Sequence, residues 1–251
     1  MDHDAIKSCL EERGYCVIPG IITSEDIDYC KTAHSEWMAG IPNHDKFHRT
    51  FDPHGIYKHH RAGHTRYAWH IRTRPSVQEV FKGLWKTDEL VVSFDGSCYI
   101  PEECGGKDNI WTHTDQGGKT HELTCYQGFV SLTDNTNRTL VVYEGSHKLH
   151  KEYFEEQGIT GTKNWIKIDH DYLEKIGDKK RVLEVPAGSL VLWDSRTFHQ
   201  NQYGGKDCKE KRLVQYVSYL PKEAKGNSKA MTKKRLKYFK EQRTTSHWAY
   251  P

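Results

Sequence analysis

Three residues, His113, Asp115 and His199, constrain this 251-residue chain more than any other feature of its sequence. Residues two apart on a β-strand point to the same face, so a strand through His113-Thr114-Asp115 presents an imidazole and a carboxylate side by side. A third ligand must come from elsewhere, and His199 lies far along the chain. The chain must therefore fold so that two distant segments meet at one point.

Two imidazoles and one carboxylate form a facial ligand set that suits mononuclear non-haem ferrous iron and leaves coordination positions open. A structural zinc site, by contrast, is closed by four protein ligands. Open positions admit a cosubstrate and O₂, so the three residues indicate an oxygenase. The alternative is a chance grouping on a β surface, since the chain holds 16 histidines and 34 acidic residues.

The segments around these residues favour β-structure. Residues 126–132 and 190–193 are rich in apolar, β-favouring side chains, and Pro186 and Gly188 mark a turn before the second run. His199 follows shortly after that run, in the kind of position where a rigid scaffold carries ligands on loops. The flanking strands therefore weigh against the chance grouping.

Arg212 opens a further strand-like run at residues 213–220. A planar guanidinium matches a carboxylate through two parallel charge-assisted hydrogen bonds. We therefore predict that Arg212 binds the distal carboxylate of a dicarboxylic cosubstrate, 2-oxoglutarate. The alternative is a solvated arginine in the basic run at residues 209–212.

Two sets of further contacts are predicted. Gln127 and Phe129 lie two apart on the strand after the His-x-Asp motif and are predicted to face the cosubstrate, although Phe129 also suits core packing. His70 and Arg72, two residues apart at strand spacing beside Trp69, are the predicted substrate contacts, with Asp95 and Arg196 as further candidates.

With these residues the chain resembles the phytanoyl-CoA dioxygenase family of Fe(II)- and 2-oxoglutarate-dependent oxygenases. The resemblance begins at residues 13–20, like the family's opening strand, and continues at residues 23–26, where Thr23 and Asp26 have capping-box spacing. It extends through residues 144–147 to Arg212. Glu144 replaces the usual proline before Gly-Ser-His, and residues 135–139 lack a common glycine, but neither departure touches a presumed ligand.

The resemblance implies a mainly β fold with flanking helices, a double-stranded β-helix or jelly roll. It also implies that His113, Asp115 and His199 bind Fe(II), that 2-oxoglutarate and O₂ are consumed, and that an unactivated C–H bond is hydroxylated with succinate and CO₂ as co-products. Asp115 argues against a halogenase, because related halogenating enzymes have no carboxylate at that position.

The length predicts one domain over residues 1–251, with a helical part at about 1–88, a jelly-roll core at about 89–221 and a basic extension at 222–251. A hydrophobic fraction of 35% fits a modest core. No apolar run long enough for a membrane span occurs, and the N-terminus lacks the order of a secretory signal, so an intracellular, soluble protein is expected. Seven cysteines without a CxxC pair indicate reduced thiols.

Helices are predicted at residues 24–38, 77–85 and 171–176, and a strand with a bulge at Gly96 is predicted at 90–100. Residues 155–180 otherwise read as an irregular excursion. The histidine-rich segment at residues 44–70 includes His44, His48, His54 and His64, but its spacing fits no closed zinc pattern, so surface loop or pocket lining is the preferred interpretation.

The partner predictions follow the charge distribution. Residues 222–243 are strongly basic and are interpreted as a solvated helix, with an anion-binding or nucleic-acid patch as the alternative. The first hypothesis is a hydroxylase of a small polar metabolite. The second is an oxygenase of a protein or nucleic acid, and the third is a non-catalytic jelly-roll binding module.

Overall fold

The computed structural model describes residues 1–44, 54–104, 109–161 and 163–245. Its helices are α1 (His3–Arg13), α2 (Ser24–Ala39), α3 (Arg66–Arg72), α4 (Pro75–Trp85), α5 (Ser146–Glu156), α6 (His170–Lys175) and α7 (Lys229–Lys240), with 3-10 turns at Ala62–His64 and Gly177–Lys179. Its strands are β1 (Tyr15–Ile18), β2 (Ile56–Tyr57), β3 (Leu90–Val92), β4 (Ser97–Ile100), β5 (His113–Thr114), β6 (Tyr126–Ser131), β7 (Leu140–Tyr143), β8 (Ile166–Lys167), β9 (Lys180–Val182), β10 (Leu190–Asp194), β11 (His199–Asn201), β12 (Arg212–Tyr216) and β13 (Tyr219–Pro221).

The strands form a six-stranded sheet, a smaller five-stranded sheet and a short two-stranded ribbon. The larger sheet has the order β1-β10-β6-β12-β4-β2, the smaller one has the order β8-β5-β11-β7-β9, and β13 pairs with β3. Paired strands run antiparallel, for example β10 with β6 and β11 with β7. The predicted jelly roll with flanking helices is confirmed, and its two sheets do not close into a barrel.

Strand β10 shows how the larger sheet is buried on both faces. Val191 belongs to the apolar cluster between the two sheets, together with Phe129 and Val214. Its neighbour Leu192 points to the opposite face and joins a second cluster with residues of the N-terminal helices, such as Phe81. Since each fully buried side chain of this size contributes roughly 1.5–3 kcal/mol, the helices are an integral part of the fold.

The helix predictions are confirmed within a few residues. Helix α2 begins as expected, because the Thr23 hydroxyl accepts a hydrogen bond from the Asp26 amide at 3.2 Å and the Asp26 carboxylate accepts one from the Thr23 amide at 3.3 Å. Helix α4 carries Pro75 in its first turn, where a missing N–H costs nothing. The short helix expected near residue 171 is α6.

Two long predicted strands are each divided in two. The run at 90–100 becomes β3 and β4, and the run at 212–220 becomes β12 and β13. The two breaks lie side by side. Ser93, between β3 and β4, donates its amide hydrogen bond to the carbonyl of Ser218, between β12 and β13, at 2.9 Å. Gly96 lies in the first break, and a Cβ there would lie 1.8 Å from the Tyr57 carbonyl oxygen, so only glycine permits this approach.

The prediction of an irregular excursion at residues 155–180 is wrong in one respect. The segment contains strand β8, which extends the smaller sheet by pairing with β5. A strand of two residues is too short to produce a periodic pattern, so β8 could not be predicted from the local sequence.

Helix α7 carries the basic extension and is solvated as expected. Each of its residues is exposed or half-buried. The Arg235 guanidinium lies 4.8 Å from the ring centroid of Phe94, and the ring of Phe239 lies 5.8 Å from that of Trp69. Among the helices of the described ranges, none is both long and apolar enough to cross a membrane.

Arg138 and Glu210 hold the loops at one end of the jelly roll. The buried Arg138 guanidinium donates to six backbone carbonyls, those of Pro101, Glu102, Cys104, Tyr203, Cys208 and Glu210. The Glu210 carboxylate accepts from the amides of Thr136, Asn137 and Arg138 at 2.8–3.2 Å. Partial burial opposes its charge, but hydrogen bonds from the Thr136 hydroxyl, the Asn137 side-chain amide and these backbone amides lower the pKa of Glu210 to about 2.

We predict that Glu210→Gln lowers the free energy of unfolding at pH 7 by about 1–3 kcal/mol, the usual range for hydrogen bonds to a charged group. A lowered folded-state pKa contributes stability above the unfolded-state pKa of about 4.3, and that contribution is lost as the pH falls toward about 2. Urea unfolding at pH 7 and at lower pH measures the difference.

The matched control is Glu184→Gln, at an exposed glutamate on the same scaffold. The difference in free energy of unfolding between Glu210→Gln and the wild-type chain should narrow as the pH falls from about 4.3 toward about 2. A variant as stable as wild type at pH 7, or a difference independent of pH, would contradict the assigned role of Glu210.

Candidate metal centre

The pairing of β5 with β11 builds the site. His199 lies directly opposite His113 in this antiparallel pair. Residues in such a pair have Cβ atoms about 4.5–5.5 Å apart, and the two imidazole ring centroids are 4.4 Å apart. Asp115 follows the end of β5, and all three side chains are buried. The structure therefore brings together the three residues predicted to bind metal.

The ligand atoms of the three side chains converge. The Asp115 carboxylate oxygens lie 3.6 Å from Nε2 of His113 and 3.4 Å from Nε2 of His199. One ligand atom from each residue falls within 4.8 Å of the others. This convergence is the geometry that a single ion requires of its ligands.

The other ring nitrogens set the tautomers. Nδ1 of His113 lies 3.2 Å from the Trp111 carbonyl, and Nδ1 of His199 lies 2.9 Å from the Thr197 carbonyl. A carbonyl only accepts hydrogen bonds, so each Nδ1 carries the proton and each Nε2 keeps its lone pair for the centre of the site. Two neutral imidazoles and a carboxylate are a donor set that fits ferrous iron.

A second group of metal-type side chains occurs in the described ranges, at His170, Asp171 and Glu174. All three are exposed on α6, in contrast to the buried triad. Exposed acidic residues at helical spacing are common without a metal ion. We therefore assign the metal site to His113, Asp115 and His199.

Arg212 lies in the same interior as the triad. Its side chain has no exposed surface, and it donates to the Arg138 carbonyl at 3.3 Å and to the Asn201 side-chain oxygen at 3.1 Å. Asn201 follows His199 by two residues and shares its face of β11. The alternative of a solvated arginine is wrong.

Among the described residues, the charge of Arg212 has no acidic partner and its buried Nε has no hydrogen-bond acceptor. A buried cation is costly unless it is paired. A carboxylate from a bound molecule would satisfy both the charge and the unused donor. This observation fits the distal carboxylate of 2-oxoglutarate.

Gln127 and Phe129 help to shape this interior. Phe129 lies beneath Arg212, with the guanidinium carbon 5.0 Å from its ring centroid. The Gln127 side-chain oxygen accepts from Trp193 Nε1 at 2.9 Å. Trp193 lines the space next to the triad together with Ile56, Trp111, Leu140, Asn201 and Tyr216. Direct contact of Gln127 and Phe129 with the cosubstrate stays a prediction.

The structure places His70 and Arg72 away from the space beside the triad. His70 Nε2 lies 2.6 Å from the Asp26 carboxylate, and the Arg72 guanidinium donates to the carbonyls of Gly63 and Asp95. The strand spacing assumed for this segment is wrong, because the segment forms helix α3, and contact of either residue with a substrate stays a prediction. Helical and extended backbones direct the same side chains to different faces.

Asp95 and Arg196 also have other partners. The Asp95 carboxylate accepts from the Thr245 hydroxyl at 3.2 Å, beside helix α7. The Arg196 guanidinium forms an ion pair with Asp194 at 2.6 Å and donates to the His121 carbonyl. Neither is among the residues that line the space next to the triad, and contact of either residue with a substrate stays a prediction.

Two further aromatic residues lie near the triad: Trp165, which was not predicted there, and His54, whose segment was interpreted as a surface loop or pocket lining. The Trp165 ring centroid lies 5.2 Å from that of His113, and 48% of Trp165 is exposed. His54, in the histidine-rich segment, stacks on Trp111 at 3.9 Å. Of the other histidines in that segment, His48 lies outside the described residues. The register of β8 against β5 is the signal that would have found Trp165, and it is visible only in three dimensions.

The comparisons with known proteins agree with this geometry. A family model described as phytanoyl-CoA dioxygenase matches residues 10–202. "Ava biosynthesis cluster protein O" of Aspergillus versicolor is 28% identical over 244 residues, which cover 88% of this chain and 79% of that protein.

Two solved structures share the fold. EctD from S. alaskensis with 2-oxoglutarate and 5-hydroxyectoine has a TM-score of 0.61 at 15% identity, covering 87% of this chain and 76% of that one. SnoN, a non-heme alpha ketoglutarate dependent epimerase from nogalamycin biosynthesis, has a TM-score of 0.59 at 15% identity, covering 87% and 83%.

We predict that the chain binds one divalent ion at the triad, with Co(II) as a spectroscopic substitute for Fe(II). Asp115→Ala and His199→Ala should each weaken binding by about 100-fold or more, because each removes one of three ligands. Equilibrium dialysis measures the affinity. The control is His170→Ala in the exposed group on α6, and an equal loss in that variant would contradict the assignment.

Proposed function

The chain belongs to the phytanoyl-CoA dioxygenase family, and on that premise we propose that it hydroxylates an unactivated C–H bond of a small molecule. It is a non-haem iron dioxygenase that uses 2-oxoglutarate and O₂. The observation that carries the proposal is the buried triad, in which His113 and His199 face each other across two strands beside Asp115.

Ferrous iron held by His113, Asp115 and His199 would supply the oxygen chemistry, in which 2-oxoglutarate and O₂ yield succinate, CO₂ and one oxygen atom for the substrate. The protein holds the metal ligands, binds the cosubstrate and excludes water. Hydrogen bonds from both Nδ1 atoms to backbone carbonyls keep the imidazoles oriented before any ligand arrives. Asp115 keeps a carboxylate in the ligand set, which favours hydroxylation over halogenation.

Arg212 would bind the distal carboxylate of 2-oxoglutarate. Its guanidinium is fully buried and contacts neutral acceptors, so an anionic ligand gains a charge-assisted hydrogen bond without first displacing an acidic side chain. Asn201, two residues after His199 on β11, accepts from Arg212 and donates to the Tyr216 hydroxyl at 3.2 Å. The cosubstrate would thus span the interior from the metal to β12.

A small-molecule substrate is supported by the structural neighbours, which include EctD with 5-hydroxyectoine and SnoN from nogalamycin biosynthesis. The expectation of a polar substrate rested on His70, Arg72, Asp95 and Arg196, all of which have other partners. A macromolecular substrate was linked to the basic residues of α7, and that helix packs beside Phe94, outside the space next to the triad.

Anaerobic titration of the Fe(II)-loaded chain with 2-oxoglutarate tests the proposal. Ferrous iron with a bound 2-oxo acid has a weak visible absorption, which should appear in the wild-type chain and be lost in His199→Ala. Absence of this absorption from folded, iron-loaded wild-type protein would refute the proposed cofactor pair.

We predict that Arg212→Ala raises the dissociation constant of 2-oxoglutarate by about 10- to 100-fold, as expected for the loss of a charge-assisted hydrogen bond of about 1.5–3 kcal/mol. Arg212→Lys should recover part of the affinity, because the ammonium keeps the charge but loses the bidentate geometry. The same titration measures both variants.

The matched control is Lys211→Ala, next to Arg212 but with its ammonium 5.8 Å from the outward-facing ring of Tyr99. Lys211→Ala should leave the affinity for 2-oxoglutarate unchanged. Arg212→Ala should leave the affinity for Co(II) unchanged. Unchanged cosubstrate affinity in Arg212→Ala would assign the carboxylate to another residue.

A further inference from the structure

Trp165 is an exposed aromatic residue directly beside the metal site. Its ring lies 5.2 Å from that of His113 at an interplanar angle of 29°, and 48% of the side chain is accessible to solvent. Within the part of the chain that the structure describes, it is the one tryptophan in the exposed class. Leaving so large an apolar surface in water costs free energy that burial would recover.

Strand register places Trp165 on the same face as the metal ligands. Lys167 of β8 pairs with His113 of β5, and Ile166 pairs with Thr114. Side chains of paired residues point to the same face, and the face repeats every two residues along a strand. Trp165, two residues before Lys167, therefore shares the face of His113 and Asp115.

The backbone around Trp165 is fixed by close packing. A Cβ on Gly117 would lie 2.1 Å from the Lys163 carbonyl oxygen, so the absence of a side chain there lets the segment before Trp165 approach. On the other side, the Ile168 amide donates to the Thr112 carbonyl at 2.8 Å. The backbone before and after Trp165 is thus held in place, and this holds the exposed ring over His113.

The neighbouring wall is also aromatic. Trp111 stacks on His113 at 4.8 Å and 18°, and its Nε1 donates to the Asn201 carbonyl at 2.9 Å, which fixes the ring. His54 in turn stacks on Trp111 at 3.9 Å. Ile110, next to Trp111, is 48% exposed. The surroundings of the metal thus present flat rings and an apolar side chain.

We propose that Trp165 is a specificity-determining residue that stacks on a flat, apolar ring system of the substrate. This inference rests on the proposed function and names the substrate class of the same site. Aromatic rings attract each other at centroid separations of 4.5–7 Å, so a planar ring on Trp165 would gain stacking as well as burial. Such a substrate would lie beside His113, with one edge toward the metal.

The experiment uses the full chain with Fe(II) and 2-oxoglutarate under anaerobic conditions. The probe is 2-naphthamide, and its saturated, non-planar counterpart is decahydronaphthalene-2-carboxamide. Equilibrium dialysis should show about 2- to 13-fold tighter binding of the planar probe, and Trp165→Ala should bind the planar probe about tenfold more weakly than wild type. Trp165→Phe, which keeps a flat ring, should retain most of it.

The matched control is Phe239→Ala, which removes an aromatic side chain of the same 48% exposure on α7 and should not change binding. The visible absorption of bound 2-oxoglutarate is recorded for every variant. Equal binding of the two probes by wild type, binding of neither, or an unaffected Trp165→Ala variant overturns this inference while that absorption is present. Loss of the absorption from wild type would instead overturn the proposed function.

Discussion

The antiparallel pairing of β11 with β5 is the interaction on which the site depends. It sets His199 opposite His113 and so creates the metal site from segments that are far apart in sequence. A shift of register by one residue would turn His199 to the other face of the sheet and remove it from the site. Because β7 pairs with β11 on its other side, the smaller sheet as a whole holds this register.

The second organising feature is a buried charge without an acidic partner in the described ranges. The fold encloses the Arg212 guanidinium between Phe129 and neutral oxygen acceptors. The loop network of Arg138 and Glu210 closes the end of the jelly roll next to Arg212, since the Arg138 carbonyl accepts from that guanidinium. The loop network thus borders the guanidinium that we propose binds the cosubstrate, since a buried cation without an acidic partner among the described residues favours an anion.

The surroundings of the metal differ from what the polar residues of the sequence indicated. Among the polar candidates, His70 is hydrogen-bonded to Asp26 and Arg196 forms an ion pair with Asp194, so both have partners without a ligand. Aromatic side chains take their place beside the triad, with Trp111 fixed by a hydrogen bond and Trp165 exposed. A polar side chain far along the sequence can find a partner anywhere, whereas an exposed aromatic ring over a metal ligand has few structural explanations.

The sequence by itself predicted the ligand set His113, Asp115 and His199 and the inward-facing Arg212, because strand spacing, turn residues and ligand chemistry are local properties. Its resemblance to a known family implied the jelly roll. The sequence also determined the start of α2 through the capping pair Thr23 and Asp26. Only the tertiary structure decided that residues 66–72 are helical and that β8 brings Trp165 over His113. The reason is physical: a two-residue strand and a seven-residue helix are too short to be stable alone, and they gain their stability from pairing and packing with distant segments.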